Sequence, residues 1–243
     1  MKKIIVFVCI FCITWSCSSD DSLFFEKERI EKINLLSNTD IPYCLIFPLK
    51  EPFVSALTVL YQDDLGKKLC NRIKKILGNN CITLSYDPNV RPGTMLEGGL
   101  YTLKYSSVLG WDDRMIGSLF GHEFFHVYQR SRGNINSQNM LNHEIEAYVF
   151  QFKLCQRMGI LPSSTSDDPQ WQHVSSFWIA IGNLANLVDY DGRLKQGTTQ
   201  QEFNQKYIQA ISQARSYDSI YENMGEDAEF RNFSNMAYFM FEK

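Results

Sequence analysis

Apolar residues recur at helical spacing over several long stretches of the chain and alternate at strand spacing over only a few short ones. Phe53 to Tyr61 and Asp63 to Leu77 carry the helical pattern, the second stopped by Gly78. The pattern returns after Trp111-Asp112-Asp113, which supplies a cap and first-turn acids. It continues through Met115, Ile116, Leu119, Phe120, Phe124 and Val127, with Arg130 and Arg132 in the last turn and Gly133 as the stop. Further helical stretches are expected from about Gln138 to Met158, from Gln170 to Val188 and from Thr199 to Ser216. The aromatic-rich tail from Tyr221 to Lys243 is expected to be helical as well, and an earlier amphipathic helix spans Leu23 to Leu36. Strand candidates are Tyr43 to Leu49, Cys81 to Tyr86 after the Gly78-Asn79-Asn80 turn, and Leu100 to Tyr105, which alternates with a period of two. The expected class is α+β: a mostly helical domain with a small sheet preceding the helix that begins near Asp112.

The N-terminus breaks this pattern. Lys2 and Lys3 precede an apolar run from Ile4 to Trp15, too short for a spanning helix but of the length of a signal-peptide core. Thr14-Trp15-Ser16-Cys17 resembles a bacterial lipobox, with Thr14 where Leu is usual, which implies lipidation of Cys17. Residues 1–16 are then a lipoprotein signal peptide, residues 17–40 a tether with an N-terminal helix, and residues 41–243 one catalytic domain. The expected location is the bacterial outer membrane, through a lipid anchor, with the polar stretch Ser18-Ser19-Asp20-Asp21 consistent with the cell surface. Removing the leader takes away two lysines and no acids, moving the formal charge from −3 to −5, which gives no footprint for nucleic acid. Past Cys17 an even number of cysteines remains, Cys44, Cys70, Cys81 and Cys155, in a chain expected to be exported. Cys70 and Cys81 flank a turn and are the nearest candidate pair, with free buried thiols as the alternative.

The chemistry-bearing feature is His122-Glu123-Phe124-Phe125-His126. On a helix, positions i and i+4 stack one turn apart, so the two imidazoles can aim ring nitrogens at one point. Glu123 lies about 100° further round, where a carboxylate reaches a water beside the metal without taking its position. Such a site needs a third protein ligand, and the candidates lie in Asn142-His143-Glu144-Ile145-Glu146-Ala147-Tyr148, at the start of the next helix.

Over about residues 112 to 152 the chain resembles the gluzincin metallopeptidases, whose His-Glu-x-x-His is followed by a downstream Glu-x-x-x-Asp or Glu-x-x-Ala-Asp. Matched residue by residue, the family's ligand Glu falls on Glu144 and its Ala on Ala147, while its Asp falls on Tyr148. In the family that acid orients a ligand histidine, a duty a Tyr hydroxyl can take by accepting the same N–H bond. Glu146 is the rival third ligand. His143 is a weaker one, read as a surface histidine. The resemblance implies a zincin-like fold holding Zn2+ on His122, His126 and Glu144, with Glu123 as general base in peptide-bond hydrolysis of a peptide or protein substrate. It further implies an edge strand just before the active-site helix, for which Leu100 to Tyr105 is the candidate, an internal sheet strand being the alternative. Oxyanion help comes in that family from a Tyr or His on another segment; His173, Tyr148 and Tyr190 are candidates. A different class stays open: a non-enzymatic surface binding lipoprotein on the same scaffold with vestigial or structural metal. Nothing in the sequence fixes the oligomeric state.

Overall fold

The computed structural model describes residues 43–45, 53–80, 82–86, 93–97, 100–105, 112–133, 135–160 and 172–241. The signal peptide, Cys17, the tether and the 23–36 helix expected from the sequence lie outside the described residues.

Helices dominate. They are α1 (Phe53–Gln62), α2 (Asp64–Leu77), α3 (Asp113–Ser131), α4 (Met140–Arg157), α5 (Gln172–Asn186), α6 (Gln200–Tyr217) and α7 (Ser234–Phe241). Short extended segments, β1 (Tyr43–Leu45), β2 (Ile82–Tyr86), β3 (Gly93–Glu97) and β4 (Leu100–Tyr105), pair in the order β1-β2-β4-β3, with only β3 and β4 antiparallel. Leu100–Tyr105 is therefore flanked on both sides and is not the edge strand; that position falls to β3. The described core is helical, with Ile82 its one strand residue.

Capping explains the helix boundaries. Asp63 has its side chain on the amides of Leu65 and Gly66 and so divides α1 from α2, and Asp112 and Thr199 cap α3 and α6 in the same way. Gly133, at φ 72°, closes the turn after α3 in the left-handed region open to glycine. The tail departs from the helix expected over 221–243. It forms two short 3-10 turns, Ser219–Tyr221 and Ala228–Phe230, before α7. Asp218 and Asp227 bond the amides of Ile220 and Glu229, which restarts the chain locally instead of continuing a helix.

Helix α3 lies at the centre and packs against α1, α2 and α4. From Phe120 to Gln129 every residue is buried, so this helix is enclosed all round and its polar side chains need internal partners. Phe125 of α3 stacks on Phe150 of α4 with ring centroids 4.4 Å apart, and Phe239 of α7 meets both edge-on. These contacts fix α3 against α4. Helix α1 approaches α3 closely because α3 carries glycine there: a Cβ on Gly117 would lie 2.7 Å from the carbonyl oxygen of Ala56. Gly117→Val is expected to destabilise the protein by about 1–3 kcal/mol through overpacking, seen as a lower urea midpoint at unchanged slope.

Cys70 and Cys155 are free buried thiols, so the Cys70–Cys81 pairing is not formed. Burial pushes the Cys70 thiol up to about 12 and the Cys155 thiol up to about 11, which leaves both protonated and inert.

Candidate metal centre

The start of α4 is held by the segment that precedes α7. The Leu141 amide donates to the Gly225 carbonyl, Asn142 exchanges two hydrogen bonds with the Asp227 backbone, and the Tyr207 hydroxyl donates to the Asn142 carbonyl. A Cβ on Gly225 would overlap the backbone of Ser137 and Gln138, so glycine permits this approach. The first turns of α4 are thereby set against the middle of α3.

This arrangement brings His122, His126 and Glu144 together. The Nε2 atoms of the two histidines are 3.1 Å apart; Glu144 Oε1 is 3.4 Å from His126 Nε2, and Oε2 is 3.7 Å from His122 Nε2. Ligands about 2.0–2.1 Å from a tetrahedral ion are separated by about 3.3–3.4 Å. The nearest separations, with a different Glu144 oxygen closest to each histidine, are near that spacing, and two imidazoles with one carboxylate are a donor set suited to a divalent transition metal. The group can hold a metal ion. The histidine side chains are 5% and 10% exposed and that of Glu144 19%, so the carboxylate side is the more open one.

The network around His126 fixes which nitrogen faces the cluster. Gln129 Nε2 lies 3.0 Å from the His143 carbonyl and 3.2 Å from Glu146 Oε2, both acceptors, and so donates to them. Gln129 Oε1 is left to His126 Nδ1, 2.8 Å away, which must carry the proton. Nε2 of His126 then presents a lone pair to His122 Nε2 at 3.1 Å. Two lone pairs at that distance repel unless a proton or a cation lies between them.

Without metal, a proton takes that place. Burial disfavours the imidazolium of His126, but the Glu144 carboxylate outweighs it and raises the pKa to about 9. Burial likewise works against the Glu144 carboxylate, and the two histidines hold it well below the usual carboxylate range. The signs give a window. His126 is raised above an unfolded value of about 6.5, so its contribution is complete below that pH and lost as pH rises through about 9. Glu144 is depressed, so its contribution is present above about pH 4.3 and lost as pH falls through its lower folded-state value. Chelator-treated protein is expected to show a falling Tm between pH 7 and 9; a flat profile there would contradict the pair.

The other candidates separate. Glu146 is 2% exposed and its carboxylate is fully engaged: Oε1 accepts the Met236 amide at 2.8 Å, and Oε2 accepts Asn235 Nδ2 at 2.6 Å and Gln129 Nε2. Burial still pushes it up to about 7. It is not part of the cluster. His143 is buried, not on the surface, and its Nδ1 lies 3.3 Å from Asn235 Nδ2. Glu123 is 6% exposed beside His122, and its charge helps hold the proton on His126.

Tyr148 does not take the role that the missing Asp left to it. Its ring packs on the His122 ring at 4.5 Å, and its hydroxyl pairs with the Tyr221 hydroxyl at 2.7 Å. His122 Nδ1 is buried and finds no hydrogen-bond partner among the described residues. Burial, with the Glu144 charge among the further causes, holds both phenols well above their ordinary pKa, so they remain protonated. Tyr221 went unforeseen, since no spacing connects it to the motif. Tyr190 is remote: it is 40% exposed and its ring carries Lys153 and Arg157, which start about 13 Å beyond Glu144 along α4. His173 lies in α5, but its side chain is outside the described residues.

No protein-family model, curated protein or solved structure matches this chain.

Proposed function

We propose that the protein is a zinc-dependent peptide hydrolase of the gluzincin type on a zincin-like domain, with His122, His126 and Glu144 as ligands and Glu123 as general base. The observation that carries this reading is the close approach of His122, His126 and Glu144, with nearest separations of 3.1, 3.4 and 3.7 Å, in which the two histidines come from a helix that also bears a buried carboxylate next to the first of them. A divalent cation held there would polarise a carbonyl and lower the pKa of water toward neutrality.

The chain's own residues do the rest. Glu123 accepts the proton from the attacking water and returns it to the leaving amine. Gln129 keeps His126 in the tautomer that offers Nε2 to the ion. In the protonated Tyr148–Tyr221 pair beside His122 one O–H is used between the two hydroxyls, which leaves the other as a donor for developing negative charge. An extended peptide is the favoured substrate class because β3, which contacts α3, has one side unpaired among the described strands. The test is stoichiometric zinc in purified protein together with chelator-sensitive cleavage of a mixed peptide library. Protein that binds no divalent metal from a micromolar solution would end the reading.

One observation favours a second reading, a binding lipoprotein with structural metal. Among the described residues His122 Nδ1 lacks the acceptor that usually supports a catalytic ligand. Zinc without cleavage of any library peptide would select it.

We also propose that Cys17 carries a lipid anchor to the outer membrane. Among the described residues no helix is long and apolar enough to cross a membrane; the proposed attachment is through the acyl chains. Cys17→Ala is expected to move the protein from the membrane fraction to the soluble fraction; unchanged fractionation would remove the anchor.

A further inference from the structure

We infer that Glu146 is a positioning residue for the metal site, acting through Gln129 on His126, and that it makes the docking of α7 part of what sets cation affinity. The inference rests on the metal-site reading above and adds a route into it from the end of the chain.

Each link is a short buried hydrogen bond. His126 Nδ1 donates to Gln129 Oε1 at 2.8 Å, Gln129 Nε2 donates to Glu146 Oε2 at 3.2 Å, and the same carboxylate accepts from Asn235 Nδ2 at 2.6 Å and the Met236 amide at 2.8 Å. His126, Gln129, Glu146 and Asn235 are between 0% and 8% exposed, so water does not compete for these groups. A side-chain amide can turn over, and a turned Gln129 would place its N–H against His126 Nδ1 and its oxygen against a carboxylate and a carbonyl. Glu146 and the His143 carbonyl forbid that orientation. With the amide held, His126 keeps its proton on Nδ1 and its lone pair on Nε2.

The far end of the network lies on α7. Asn235 and Met236 are in its first turn, and Phe239 in its second packs edge-on against Phe125 and Phe150. Release of α7 would leave the Glu146 carboxylate without two of its three donors and free it to turn. Sequence proximity to Glu144 made Glu146 a rival ligand; the contacts assign it a supporting duty for the other helix.

The test compares wild type, Gln129→Met and Asn235→Ala by zinc competition against a chromophoric chelator, with the Tm of each metal-free protein. Gln129→Met removes the acceptor while keeping length and apolar bulk, and is expected to weaken zinc by about 10- to 100-fold. Asn235 lies on neither ligand-bearing helix, and Asn235→Ala is expected to weaken zinc by roughly 3- to 10-fold, in line with one hydrogen bond. If Gln129→Met does not fold, Asn235→Ala alone decides. Nitrogen-15 spectra of the zinc-loaded proteins should show the His126 Nδ1 resonance shifted in Asn235→Ala relative to wild type, a readout that a purely structural role would not move. Wild-type affinity in the folded variants overturns the inference while leaving the metal site standing. Absence of zinc from the wild type overturns both.

Discussion

Glu123→Gln is expected to keep one zinc per chain and to lose peptide hydrolysis by about 10²–10⁴-fold, the usual contribution of a positioned general base. The substitution replaces a carboxylate by an amide of the same shape at a site that is 6% exposed, so the fold and the ligands stay while proton acceptance disappears. The loss belongs in kcat, since Glu123 acts on the water and not on the bound peptide. A second effect separates this role from a general disturbance. The Glu123 charge contributes to holding the proton on His126, so the metal-free variant should show a lower His126 pKa than wild type. Unchanged turnover together with that lowered pKa would show that the carboxylate sits at the site without serving as the base.

The motif helix was legible because its signals are local. Asp112 caps it, Gly133 closes it, and the i, i+4 spacing puts two imidazoles on one face; all three are properties of a stretch of about twenty residues. Glu144 was legible only as one of two carboxylates, because spacing along α4 does not tell which of two neighbouring positions faces α3. The answer depends on α7, whose Asn235 and Met236 occupy the Glu146 carboxylate from about ninety residues away. The duty of Tyr148 was misread for the same reason. Its partner, Tyr221, sits in a 3-10 turn created by Asp218, inside a tail whose mixed aromatic composition has no clean period. His143 is expected at the surface, yet Phe230 and Asn235 from the same returning segment pack against it and it is buried. Local helix chemistry can be read from one window of sequence, whereas the partners of buried polar groups come from wherever the chain returns.

Glu144→Ala is expected to lower metal affinity by more than the 10- to 100-fold that losing a supporting partner costs, and to leave no measurable hydrolysis. It removes the only carboxylate among the described residues that closes the donor triangle with His122 and His126. Glu146 cannot substitute without giving up the Met236 amide, Asn235 and Gln129, and a buried donor left unpaired costs about 1–3 kcal/mol. The same variant tests the electrostatics without metal. Glu144 is what outweighs burial at His126, so with it gone burial acts unopposed by its main partner and the His126 pKa should fall from about 9. The two imidazoles, 3.1 Å apart, would then keep only the hydrogen bond that a neutral His122 can donate from Nε2 and lose the carboxylate that holds both, a change visible as altered ring shifts against Tyr148. Full zinc retention in Glu144→Ala would transfer the third position to another residue. Loss of zinc with an unchanged His126 pKa would keep the ligand and discard the ion pair, because metal binding and proton binding at this site draw on the same carboxylate.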